Sequence, residues 1–128
     1  MGTRILIVED EAILGLELKE DLCAMGYEVP EIVTDGDRVL RAVAAHKPDL
    51  ILMDIKLYGF RDGIEAAGQV RGFFETPILY LSSYPEAEVA NRIRRTSQAA
   101  YLEKPCSPEV LQRAIEEALS RKSAGPSN

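Results

Sequence analysis

The 128-residue chain has no tryptophan, a single histidine, two cysteines and no apolar run of membrane-spanning length. A bilayer-crossing helix needs about 20 mostly apolar residues, so no span is predicted. The opening residues Met1-Gly2-Thr3-Arg4 lead into an apolar strand without the basic and then apolar regions of a secretory leader. Cys23 and Cys106 stand far apart and make no metal-ligand spacing. They predict two unpaired thiols in a reducing compartment, the cytoplasm. Basic residues are also short: 15 Lys and Arg against 21 Asp and Glu, a formal net charge of -6. That balance argues against direct binding of nucleic acid or an anionic membrane. His46 stands near a predicted helix end, where positive charge is favoured, on a different segment from the acid-rich positions.

What is present reads as one globular domain. At 46% hydrophobic and 28% charged residues the composition is neither fibrous nor disordered, and the length suffices for a single core. The central stretch is Pro48-Asp49-Leu50-Ile51-Leu52-Met53-Asp54, an apolar run opened by a helix breaker and closed by a carboxylate. A continuous apolar run fits a strand covered on both faces, as in a parallel sheet flanked by helices. Three more runs repeat the arrangement: Ile5–Val8 before Glu9-Asp10-Glu11, Ile78–Leu81 before Ser82-Ser83, and Ala99–Leu102 before Glu103-Lys104-Pro105. Tyr27 to Val33 is a shorter strand, and Pro30 within it lacks a ladder donor, which places it at a sheet edge.

Helical spacing fills the gaps. Ile13, Leu14, Leu18, Leu22 and Met25 form an apolar stripe opposite Lys19-Glu20-Asp21, stopping at Gly26. Asp35-Gly36-Asp37 caps a helix from about Arg38 to His46. Ile64, Ala67 and Val70 mark a third helix, and residues 85–96 a fourth with Val89 and Ile93 inward and Arg92, Arg94 and Arg95 around the rest. Pro108 opens a fifth, to about Lys122, with Leu111, Ile115, Ala118 and Leu119 facing in. Residues 1–122 then form the domain and 123–128 a polar tail. Alternating strands and helices predict a doubly wound α/β fold: a five-stranded parallel sheet in the order 2-1-3-4-5, flanked by five helices.

In such sheets ligands sit at the carboxyl ends of the strands. Glu9, Asp10 and Glu11 reach that edge from the first strand and Asp54 from its neighbour. A plainer account makes Asp10 the cap of the first helix and lets the other acids favour its positive end. It leaves unexplained an additional carboxylate across the sheet, since clustered like charges repel. A hard divalent cation resolves the repulsion, and oxygen ligands with retained waters suit Mg2+, often beside a phosphate. A carboxylate at such a site can attack phosphorus and form an aspartyl phosphate. Lys104 could then pair with a phosphoryl oxygen and the Ser82 hydroxyl donate to another. Singly, Lys104-Pro105 could be a plain turn and Ser82 a helix cap.

Five segments together resemble the receiver domain of a two-component response regulator, of the single-domain, chemotaxis-regulator kind. They are Ile-Leu-Ile-Val-Glu-Asp-Glu at 5–11, Pro-Asp-Leu-Ile-Leu-Met-Asp at 48–54, Asp-Gly-Ile-Glu-Ala-Ala at 62–67, Ile-Leu-Tyr-Leu-Ser at 78–82 and Tyr-Leu-Glu-Lys-Pro at 101–105. The resemblance implies a phosphoacceptor signalling domain rather than an enzyme acting on a separate substrate. Asp54 would accept a phosphoryl group from a sensor histidine kinase or a phosphotransfer protein. Glu9, Asp10, Asp54 and the backbone carbonyl of Lys56 would hold Mg2+, and Lys104 would contact the phosphate. Ser82 and Tyr101 would switch together and alter the surface of the fourth helix, fifth strand and fifth helix. That surface would bind a downstream protein target, and the family also allows a phosphorylation-dependent homodimer.

The chain departs from the family pattern in its loops. Tyr58 stands where proline is common, Gly63 comes about one residue late, and Lys56 and Tyr84 occupy positions that tune attack by water. Two other functions share the fold. A flavodoxin-like electron carrier needs a phosphate cradle after the first strand, where Glu9-Asp10-Glu11 would repel a phosphate. An aspartyl phosphatase usually has a second acid two residues after the nucleophile, where Lys56 stands. A third alternative is a receiver that acts only as a docking module without phosphorylation.

Overall fold

The computed structural model describes residues 2–54, 68–82, 100–103 and 106–124, with 100, 101 and 121–124 described by backbone alone. Five parallel strands, β1 (Ile5–Val8), β2 (Ile32–Val33), β3 (Leu50–Asp54), β4 (Ile78–Ser82) and β5 (Ala100–Glu103), lie in the order β2-β1-β3-β4-β5. This is the predicted order. Strand pleating sends successive side chains to opposite faces, and the core divides accordingly. Leu6, Val8, Ile51, Met53, Ile78 and Tyr80 join one buried cluster, while Ile5, Ile7, Leu50, Leu52, Leu79 and Leu81 join the other. Both faces need helices, and both have them. α1 (Ala12–Ala24) and the C-terminal helix Pro108–Ala124 cover the second cluster through Leu22, Leu111, Ile115 and Ala118. α2 (Val39–His46) and the helical residues 68–71 cover the first through Val39, Ala42, Val43 and Val70. These are four α-helical segments among the described residues; the helix expected at 85–96 lies outside them.

Local chemistry sets the helix ends. α1 stops in a Schellman motif: the Gly26 N–H donates to Cys23 O at 3.0 Å and the Tyr27 N–H to Leu22 O at 3.0 Å. Gly26 has φ +95°, the left-handed region that glycine enters without a Cβ penalty. The short 3-10 helix Gly36–Arg38 is capped by Asp35, whose Oδ1 accepts from the Asp37 N–H at 2.9 Å. The C-terminal helix starts at Pro108, and the Ser107 hydroxyl accepts from the Val110 N–H at 3.2 Å.

Two expectations need correction. Regular β2 pairing covers only Ile32–Val33, preceded by an isolated bridge between Arg4 and Glu28. Glu28 exchanges backbone hydrogen bonds with Thr3 and Ile5, but Pro30 has no N–H with which to continue the ladder, which resumes past it. Also, Ile13 does not face the core. It is 73% exposed, and the inward line of α1 instead runs through Gly15, Leu18, Leu22 and Met25. A Cβ on Gly15 would meet Ile32 Cγ2 at 2.8 Å, so α1 lies closer to β2 than a side chain there permits. Mid-helix glycine costs roughly 0.5–1 kcal/mol relative to alanine, and that close approach accounts for it here.

Two predictions follow from helix ends. Lys47, just past α2, has φ 47° and donates to Val43 O at 2.8 Å. A left-handed conformation costs a side-chain-bearing residue about 1–2 kcal/mol. Allowing for glycine's greater freedom when unfolded, Lys47→Gly should gain about 0.5 kcal/mol, measured as a rise in urea midpoint at constant m-value. Burial pushes the Tyr27 phenol above its ordinary 10.0, and the Glu116 carboxylate adds to the shift. Below that ordinary value both states keep the proton and Tyr27's contribution is intact. As pH rises further the unfolded chain ionises first, so stability is lost up to and through the raised folded value. Tyr27→Phe should flatten the decline in thermal midpoint between neutral and strongly alkaline pH; superimposable slopes would refute the assignment.

Candidate functional site

Parallel pairing brings the acids together. Val8 is level with Met53, so Glu9 leaves β1 where Asp54 closes β3. Carboxylate oxygens of Glu9, Asp10 and Asp54 all lie within 4.8 Å of one another. Glu9 is 1% exposed and Asp54 4%, so two of the three charges are withdrawn from water. Like charges at this spacing repel, and are screened least where both are buried, as Glu9 and Asp54 are. The start of α1 offsets part of this with its N-terminal partial charge.

The N-cap of α1 falls one residue past Asp10. Glu11 occupies the N-cap of α1 and makes no side-chain cap hydrogen bond. Its backbone N–H instead turns back and donates to Glu9 Oε2 at 3.0 Å, orienting that carboxylate. Glu9 is held a second time, its own N–H donating to Val33 O on β2 at 2.9 Å. The donor set is all oxygen and all anionic, which fits a hard cation such as Mg2+ and does not fit a softer metal that prefers thiolate or imidazole.

Ser82 ends β4 fully buried, level with Glu103 of β5 and one residue past the Leu81–Asp54 pair. Tyr101 lies in β5 level with Tyr80. Lys104 and Lys56 lie outside the described residues, as do Tyr58, Gly63, Tyr84, Arg92, Arg94 and Arg95. His46 sits at the end of α2, before β3 begins, and its Nε2 is 2.8 Å from Glu31 Oε1. Since Asp54 closes β3, His46 lies toward the other end of the sheet from the acids. Neither Cys23 nor Cys106 is in a disulfide.

Two contributors were not found from sequence. One is the Glu11 backbone amide, which residue type cannot reveal. The other is Gly15, where an added Cβ would stand 3.7 Å from Glu9 Cγ. Its signal was available: a glycine in the middle of an otherwise apolar helical stripe marks a close approach.

Known proteins share this fold. The family model described as the response regulator receiver domain matches residues 5–116. The transcriptional regulatory protein PdtaR of Mycobacterium tuberculosis is 40% identical over 118 residues, covering 92% of this chain and 57% of that protein. The chain spans about half the length of the curated relatives it matches. Among solved structures, a CheY-like response regulator receiver domain protein from Methanospirillum hungatei superposes with TM-score 0.86 at 27% identity, covering 97% of this chain and 98% of that one. The BeF3-activated N-terminal receiver domain of Klebsiella pneumoniae RstA gives TM-score 0.82 at 29% identity, covering 91% and 98%. Sheet order, acid cluster and matched span agree, and the chain belongs to the response regulator receiver domain family of two-component systems.

Proposed function

We propose that the chain is a phosphoacceptor in which Asp54 takes a phosphoryl group from a phosphohistidine of a sensor histidine kinase or a phosphotransfer protein. An Asp54 carboxylate oxygen attacks phosphorus, the new P–O bond forms as the P–N bond breaks, and the departing imidazole nitrogen keeps the electron pair and takes up a proton. The observation that carries this reading is the triad of Glu9, Asp10 and Asp54 carboxylates within 4.8 Å at the carboxyl edge of β1 and β3. Glu9, Asp10, Asp54 and the Lys56 backbone carbonyl would hold Mg2+. Bound there, the ion supplies positive charge that offsets the carboxylates and the incoming phosphoryl oxygens. Lys104 neutralises a phosphoryl oxygen from the end of β5, and the Ser82 hydroxyl donates to another.

Ser82 and Tyr101 then act as the switch, biasing two packings of the surface made by the fourth helix, β5 and the C-terminal helix. The partner reading that surface is a protein target or a second copy of the chain. No helix among the described residues is long and apolar enough to cross a membrane, which is compatible with work in the cytoplasm. The chain catalyses only its own phosphorylation and dephosphorylation.

Incubation with acetyl phosphate and Mg2+ should add the mass of one phosphoryl group to the native chain and none to Asp54→Asn, with chelation of Mg2+ abolishing the gain. An equal gain in Asp54→Asn, or no gain in the folded native chain, overturns the assignment. Asp10→Asn, which removes one of three charges facing the cation, should weaken Mg2+ binding by about tenfold or more in calorimetric titration; unchanged affinity would place the ion elsewhere.

A further inference from the structure

We propose that Gly15 is a positioning residue for the acid site: by lacking a side chain it lets α1 rest against β2 at the separation that aligns Glu9. The inference rests on the metal reading of that site proposed above. A Cβ at Gly15 would stand 2.8 Å from Ile32 Cγ2, 3.6 Å from Ile32 Cδ1 and 3.7 Å from Glu9 Cγ. Ile32 is β-branched and stiff about χ1, so its Cγ2 does not swing aside freely. Either β2 or α1 must move to admit the methyl.

Both movements reach Glu9. Displacing β2 shifts Val33, next to Ile32, whose carbonyl accepts the Glu9 N–H at 2.9 Å. Displacing α1 shifts Glu11, because the Gly15 N–H donates to Glu11 O at 3.0 Å and the Glu11 N–H donates to Glu9 Oε2 at 3.0 Å. One route moves the Glu9 backbone and the other its carboxylate. Glu9 Cγ borders the same space, which leaves the side chain little room to compensate. Gly15 touches neither metal nor phosphate and acts through Glu9.

The test is a double-mutant cycle of Gly15→Ala and Ile32→Ala on the full chain, with Ile115→Val in the C-terminal helix as a destabilised control. Three quantities are read: thermal midpoint, Mg2+ dissociation constant by calorimetry, and the Glu11 amide resonance, which reports the bond to Glu9 Oε2. Gly15→Ala should weaken Mg2+ binding by about tenfold, as loss of a ligand-orienting contact does, and should move the Glu11 resonance. Adding Ile32→Ala should restore most of both, and Ile115→Val should change neither. If Gly15→Ala does not fold, Ile32→Ala alone carries the test, since slackening the same contact should move the Glu11 resonance. Lower stability with Mg2+ affinity and the Glu11 resonance unchanged reduces Gly15 to packing and overturns the proposal. If the folded native chain binds no Mg2+, the metal reading fails, and the Glu11 resonance alone decides whether Gly15 positions Glu9.

Discussion

A parallel strand covered by helices on both faces has no place for an unpaired polar side chain until it ends. β1 and β3 carry only hydrocarbon and thioether side chains from Ile5 to Val8 and Leu50 to Met53, and β4 does the same from Ile78 to Leu81 apart from the phenol of the fully buried Tyr80. Polar chemistry is therefore concentrated at the carboxyl edge, where Glu9, Asp54 and Ser82 follow the last apolar positions. The three remain buried, so their charges and dipoles act in a medium that screens them less than water does. A core that excludes polar groups thus also produces a site in which charge is effective.

The cost of that concentration is repulsion. Three carboxylates within 4.8 Å oppose the fold that gathers them, and backbone hydrogen bonds help to hold them in place. Glu9 shows how: Val33 O fixes its main chain and the Glu11 N–H fixes its carboxylate. On the function proposed above, a cation bound there would relieve that repulsion before an anionic phosphoryl group arrives.

The edge strand is the least regular part of the sheet and bears directly on the site. Pro30 interrupts its ladder, leaving two residues in regular pairing. The Gly15–Ile32 contact supplements those few hydrogen bonds with close packing against α1. Arg4 strengthens the opposite end, bridged to Glu28 through the backbone and with its Nε 3.6 Å from Glu28 Oε1. The strand that carries Glu9's backbone partner is thus held by side chains as much as by its ladder.

Residue order alone determined the strands, the parallel class and the acids at the strand ends, because a continuous apolar run closed by a carboxylate has few other solutions in a small α/β chain. It determined the edge position of β2 as well, since Pro30 is intolerable in a central strand. Its reading of α1 went wrong at Ile13: hydrophobicity marked that residue as inward, whereas the helix phase is set by the approach of Gly15 to Ile32. Only the tertiary structure decided that the acids converge within 4.8 Å, that the Glu11 backbone amide orients Glu9, and that a glycine sits behind Glu9. Those features depend on strand register and on the distance between helix and strand, which arise from contacts between residues distant in the chain and leave no periodic trace in it.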